Sequence, residues 1–304
     1  MQKSLLGLAL VAFVGFVWAD EPDMDESYES LKKAVEAKDV DQILKLAVQT
    51  CDLARKVQKS EAPEDKDEKE NWTKRVSYAK DVELYTEYAL SAAVVEAKPE
   101  QVIKLAETLE AQNPKSKYLD GLYERYFLAL QQTGAAAQIP KIADKAVVNF
   151  PNNVDLVYNV ANTASATGQL DRAMAFADRL VAIMSTQSKP EGLSDADWAR
   201  KRTIALGQGY YIAGMARAAK QLYFLANQNL RAALPFIKGD DYRTGAALFT
   251  LGLANYQLGK AQSNKGMVME AIKFSEQAAQ IKGPYQQQAY QNANAMRREV
   301  ATMR

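Results

Sequence analysis

The sequence predicts an all-α chain of stacked helix pairs, and three observations predict it. Gly134 and Gly168 lie 34 residues apart in matched surroundings: Phe127 and Ala161 seven before, Ile139 and Ala173 five after, Ala146 and Leu180 twelve after. A repeat of that length reads as a solenoid unit that buries its apolar stripe on its neighbours. Alanine-rich stretches separated by short polar breaks favour helix. No sustained alternation of Val, Ile and Thr marks a strand.

Taken in order, residues 1–19 stand outside that fold. Lys3, the 13-residue apolar run from Leu5 to Val17 and the Val17-Trp18-Ala19 site before Asp20 read as a secretory signal peptide. The run is short of the ~20 residues a membrane span needs. An uncleaved anchor is the alternative, and no Cys follows for lipid attachment. A first helix pair is predicted over 24–37 and 39–58, with Asp39 as N-cap and Ile43, Leu46, Ala47 and Leu53 as apolar face. The mixed charge run after it, with Pro63, reads as a solvated linker over 59–71. Asn71-Trp72-Thr73 fits a glycosylation sequon.

The second pair is predicted over 72–97 and 99–112, with Pro99 in a first turn and Val102, Leu105, Ala106 and Leu109 buried. The third covers 118–133 and 139–149, closed by Phe150-Pro151. The fourth covers 154–167 and 170–184, turning at Gly168-Gln169 and capped near Asp171. Ser194 or Asp195 caps the fifth, over 195–219 and 222–237. The sixth opens near Tyr242 and runs to Gly259, followed by a seven-residue insertion around 262–269 and a second helix over 267–281. A polar helix over 285–303 reads as a terminal cap. The domain plan is therefore a signal peptide (1–19), an N-terminal helix pair (20–58), a charged linker (59–71) and a repeat domain (72–304).

Composition narrows the chemistry. With 304 residues, 48% hydrophobic and 25% charged, the chain can bury a substantial core. One Cys precludes an internal disulfide, and Cys51 shares a helical stripe with Leu44, Ala47 and Ala54, where a small buried hydrophobe is expected. The absence of His excludes Ser-His-Asp and Cys-His catalysis and His-containing zinc sites. Asp240-Asp241 is the one acidic pair that invites a catalytic reading, yet adjacent acids diverge on a helix and favour its N-terminus. No phosphate-binding Gly loop or metal-ligand cluster is present, so no catalytic, metal or cofactor-binding residue is assigned and no cofactor is expected. An α/α-toroid hydrolase is the enzymatic alternative, and the 34-residue spacing speaks against it.

Without residues 1–19 the chain holds 37 basic and 37 acidic residues, which argues against nucleic acid as the main partner. The charge is uneven: residues 20–115 hold 23 acids and 15 bases, residues 116–304 hold 14 acids and 22 bases.

These residues resemble the tetratricopeptide-repeat family. The best match is 154–184, where Val157, Val160, Ala161, Gly168, Leu170, Ala173, Ala177 and Leu180 stand at the motif's packing positions. Leu251-Gly252, Gly259, Glu270-Ala271-Ile272 and Ala278 repeat it, as do Ala213-Gly214, Ala226, Leu230 and Ala233. Ile139 replaces the family's small residue and Gln221-Leu222 its Gly turn. The resemblance implies a right-handed superhelix of about six helix pairs plus a capping helix, which binds a protein or peptide segment on its concave face. The corresponding positions are Glu124, Leu128, Gln131, Tyr158, Asn162, Ser165, Tyr211, Met215, Phe249, Leu253 and Tyr256; inter-helix core is the alternative for each aromatic. A carboxylate clamp is not expected, since Glu124, Gln208 and Ile212 stand where cations are needed. The expectation is a non-enzymatic exported scaffold, periplasmic or extracellular, serving cell-envelope assembly or maintenance. Self-association through oppositely charged ends is the alternative.

Overall fold

The computed structural model describes residues Asp23–Met303; the expected signal peptide at 1–19 lies outside the described residues. Among the described residues there are fourteen α-helices, one short 3-10 turn and no strand. The chain divides into two compact units, Met1–Glu96 and Ala97–Arg304.

The first unit contains α1 (Met24–Glu36), α2 (Val40–Gln58) and α3 (Lys66–Ala93), with α2 packed on both neighbours. Asp39 caps α2 by accepting from the Gln42 backbone N–H at 3.1 Å, as predicted. The buried stripe of α2 is Ile43, Ala47, Thr50, Cys51 and Ala54; Leu46 and Leu53 are only half-buried. Cys51 is a free, buried thiol whose pKa burial pushes up, so it packs as a hydrophobe and resists ionisation. The charged run expected to form a linker over 59–71 is helical from Lys66 onward, because Asp65 caps that helix through the Asp67 and Glu68 N–H groups. Arg55 reaches across to Glu83 at 2.7 Å and Arg75 to Asp25 at 2.7 Å, tying α3 to α2 and α1.

The second unit runs through α4 (Pro99–Gln112), α5 (Lys117–Asp120), α6 (Tyr123–Gln132), the 3-10 turn Ala136–Gln138, α7 (Ile139–Ala146), α8 (Val154–Ala166) and α9 (Leu170–Thr186). It continues through α10 (Asp195–Ala219), α11 (Tyr223–Ile237), α12 (Asp241–Ala261), α13 (Lys265–Gln280) and α14 (Gln286–Val300). Helix α4 packs on α6, and the helix predicted over 118–133 is split at Gly121 into α5 and α6. Pairs α8–α9, α10–α11 and α12–α13 are antiparallel neighbours, and α14 covers both α12 and α13. The first helix of each pair also packs on the first helix of the next: α6 on α8, α8 on α10, α10 on α12, α12 on α14. Second helices are not packed on one another in this way. Side chains span them instead, through the Asp144–Arg172 pair and the Arg231–Glu270 pair at 2.6 Å.

One turn recurs after five of the helices. After α1, α6, α8, α10 and α12 comes a residue in the left-handed region: Lys38 (φ 56°), Gly134 (77°), Gly168 (72°), Gln221 (60°) and Ser263 (50°). The next residue's N–H then reaches back to a carbonyl five residues earlier, at 2.7–3.0 Å. This is the Schellman ending, which satisfies carbonyls a helix would otherwise leave bare. The 34-residue echo is the spacing of two such turns. Gln221, read from the sequence as a replacement for the turn Gly, holds the same conformation.

The sixth pair differs from its expectation. Gly259, which stands where a turn was predicted, lies inside α12, and the left-handed residue is Ser263. The connection is three residues long, 262–264, like 220–222 between α10 and α11. The extra residues lengthen both helical arms rather than forming a loop. Gly259 permits this, since a Cβ there would lie 2.8 Å from the Val268 side chain. Gly214 plays the same part in the fifth pair, where a Cβ would lie 2.6 Å from Leu230. Asp171, expected as a cap, instead sits in the first turn of α9, behind Gln169 at the N-cap position.

Candidate functional site

Stacking the first helices side by side makes a row of α6, α8, α10 and α12 in the second unit, along which Tyr158, Tyr211, Met215 and Phe249 are brought together. Each first helix has a stretch without Asp, Glu, Lys or Arg: 126–132 in α6, 156–166 in α8, 203–216 in α10 and 244–259 in α12, with 286–296 in α14. One residue in four of the chain is charged, so this recurrence at one place in each repeat is not a matter of composition. Of the second helices, α7 and α13 carry charges along their length, α9 carries them at 171, 172, 178 and 179, and α11 carries Arg231 alone.

Within the row, Tyr158 and Tyr211 pack half-buried on the small core of Ala161, Ala164, Ala213 and Ala216 between α8 and α10. Tyr211, Met215 and Phe249 pack together on the next core, around Leu230, Ala247 and Leu251. The Met215 sulfur accepts from the Thr250 hydroxyl at 3.5 Å. Phe249 lies 5.3 Å from the Tyr285 ring, and Tyr285 lies 6.3 Å from the Tyr242 ring. Burial, with Tyr285 and Tyr242 nearby, pushes the Tyr211 phenol up to about 12, so it stays a neutral donor. These aromatics join core to face: one edge packs inward while the other borders solvent.

Five of the expected residues are exposed: Glu124, Leu128, Gln131, Asn162 and Leu253. Leu128 is 52% exposed and Leu253 37%. Ser165 is half-buried. Tyr256 stands apart: its hydroxyl donates to Glu299 at 2.6 Å, and Lys260 pairs with the same carboxylate. It ties α12 to α14 and is not free to meet a partner by that group.

Sequence reasoning missed several members. Lys201 on α10 donates to Glu124 on α6 at 2.7 Å and approaches Asp155 on α8 at 3.5 Å. Burial raises the Asp155 pKa; Lys201 opposes this, and Glu124 adds to it. Burial would lower the Lys201 pKa, but the two carboxylates outweigh it and hold the ammonium charged. The triad links three first helices along one edge of the row, and no local spacing signals contacts 77 and 46 residues apart. Ile204, 52% exposed and seven residues before Tyr211, and Tyr242, 61% exposed, were also missed. The charge-free stretches were the signal that could have found Ile204.

Asp240 accepts from the Arg243 N–H at 2.9 Å as the N-cap of α12, while Asp241 is exposed in the first turn. The acidic pair is accounted for by capping. Among the described residues no helix is long and apolar enough to cross a membrane. Compared with known proteins, the chain matches no family model, no curated protein and no solved structure.

Proposed function

We propose that this protein is a non-enzymatic exported scaffold whose first-helix row grips a protein or peptide segment, in the assembly or maintenance of a cell envelope. The second unit would curve as a right-handed superhelix of the tetratricopeptide kind, with the row on its concave side. The observation that carries the reading is the direct packing of first helix on first helix, combined with the exposed uncharged side chains along that face. Half-buried Tyr158, Tyr211 and Phe249 would supply apolar area, while Gln131 and Asn162 would pair with a peptide backbone. The signal-peptide pattern at 1–19 supports export.

The test is affinity capture from envelope extract with the chain from Asp20 onward, beside a Tyr158→Ala, Asn162→Ala double variant. A partner held by the first and lost by the second supports the face. Equal retention by both contradicts it.

A second reading rests on charge. The first unit holds 20 acids and 13 bases and the second 17 acids and 25 bases, so the two differ in sign at the structural boundary itself. Copies would associate by pairing the acidic unit of one with the basic unit of another. Light scattering in dilute buffer and at about 0.5 M salt decides, because salt of that strength screens such attraction. A monomer in both conditions removes this reading.

A further inference from the structure

We infer that the segment held by this row is itself uncharged over its central residues, with apolar and amide side chains, and that charge enters only at its ends. The inference rests on the proposed binding face and specifies its chemistry. Three features support it. Each first helix has a stretch free of Asp, Glu, Lys and Arg: 126–132 in α6, 156–166 in α8, 203–216 in α10 and 244–259 in α12. The exposed side chains there include Leu128, Gln131, Asn162, Ile204 and Leu253, and none of the exposed ones can neutralise a charge. Several of the charges that border the row are paired within the protein: Lys201 with Glu124 and Asp155 along one edge, Lys260 with Glu299 at the end of α12.

The energetics follow. A charged side chain laid on this surface loses hydration and finds no counter-charge, which is costly. An apolar side chain gains burial against Leu128, Ile204 or Leu253, and an amide or backbone group finds Asn162 or Gln131. Exposed aliphatic residues favour a peptide over a neutral sugar, which binds through aromatic faces and dense hydrogen bonding. With neighbouring helix axes about 9 Å apart, the path from α6 to α12 is about 27 Å long. At about 3.3 Å per residue that path takes an extended segment of about eight residues.

The experiment selects from a random decapeptide display library on the immobilised chain from Asp20 onward. Recovered peptides are then titrated against wild type, Leu253→Lys and Lys273→Glu; residues 253 and 273 are both exposed. Chito-oligosaccharide is run as a neutral sugar probe. The inference predicts at least fourfold depletion of Asp, Glu, Lys and Arg at the six central positions. It also predicts less than twofold change in affinity between low and high salt. Leu253→Lys should weaken binding at least tenfold while Lys273→Glu leaves it unchanged.

Peptides with charged centres that still lose affinity in Leu253→Lys overturn the inference and leave the binding face standing. Peptides indifferent to Leu253→Lys overturn the face itself, and the inference with it. Binding of the oligosaccharide with no peptide recovered overturns both in favour of a glycan site.

Discussion

Lys38, Gln221 and Ser263 hold a backbone conformation that glycine adopts freely and other L-residues adopt at a cost of about 1 kcal/mol. Gln221→Gly should therefore raise stability by about 0.5–1 kcal/mol, while Gly168→Ala should lower it by about 1 kcal/mol. Urea titration of the single variants checks both signs. Ser275 offers a second residue-scale test. Its hydroxyl is buried without a hydrogen-bond partner and stands over Gly252. Ser275→Ala removes an unsatisfied group and should be stabilising by about 1 kcal/mol in the same titration. A loss of stability would show that the hydroxyl has a partner after all.

Lys201 yields a pH dependence. Burial already raises Asp155, so the ionised carboxylate weakens the fold as pH rises from the ordinary carboxylate value through the raised one. Lys201 limits that loss, and its own raised pKa keeps it charged until strongly alkaline pH. In Lys201→Met the Asp155 pKa should rise further, leaving the variant close to wild type near pH 4. By pH 7 it should fall behind by about 1 kcal/mol, a size set by partial exposure. Thermal melts at both pH values measure the gap, and a gap that does not grow with pH contradicts the role.

At the scale of elements, hairpins are held by close approach and by one well-placed fork. Arg217 on α10 is 15% exposed; it grips both Asp178 oxygens on α9, at 2.9 and 2.6 Å, and Asn229 on α11 at 2.7 Å. Lysine has the charge but not the planar fork, so Arg217→Lys should cost about 1–2 kcal/mol by calorimetry. Gly214→Val would drive a side chain into Leu230 and should cost about 1–3 kcal/mol, or more if the pair separates.

Helices and turns were legible because they are local. Gly134 and Gly168 announce the left-handed ending, and Asp39, Ser194 and Asp240 announce helix starts. What misled is equally local in appearance. Gly259 has the sequence environment of a turn, yet it serves as a flat spot against Val268, and only the partner helix distinguishes the two uses. The Lys66–Glu70 charge run resembles a linker, but Asp65 caps it and turns it into the start of α3. The aromatic half of the row was placed by the resemblance to the repeat family, with inter-helix core as the alternative. The Lys201 triad was not, because its members come from three separate helices.

For the whole second unit, order depends on each pair covering the next, so the last pair needs a lid. Helix α14 supplies one, burying Ala289, Ala293 and Met296, with Met296 in the core formed by Val268, Ala271 and Ile272. Removing residues 285–304 should bare that core and make the chain aggregate; size exclusion of the truncated chain beside the untruncated one tests this. First helices with charge-free stretches lying side by side would still be only an odd surface if nothing bound there.

Photo-crosslinking in envelope extract addresses that point most directly. A crosslinker is placed at Leu128, Asn162 or Leu253 on the row, and at Lys145 or Lys273 on the second helices as controls. The account predicts one shared adduct from the three row positions and none from the controls. Adducts confined to Lys145 and Lys273, with the row positions silent, would contradict it.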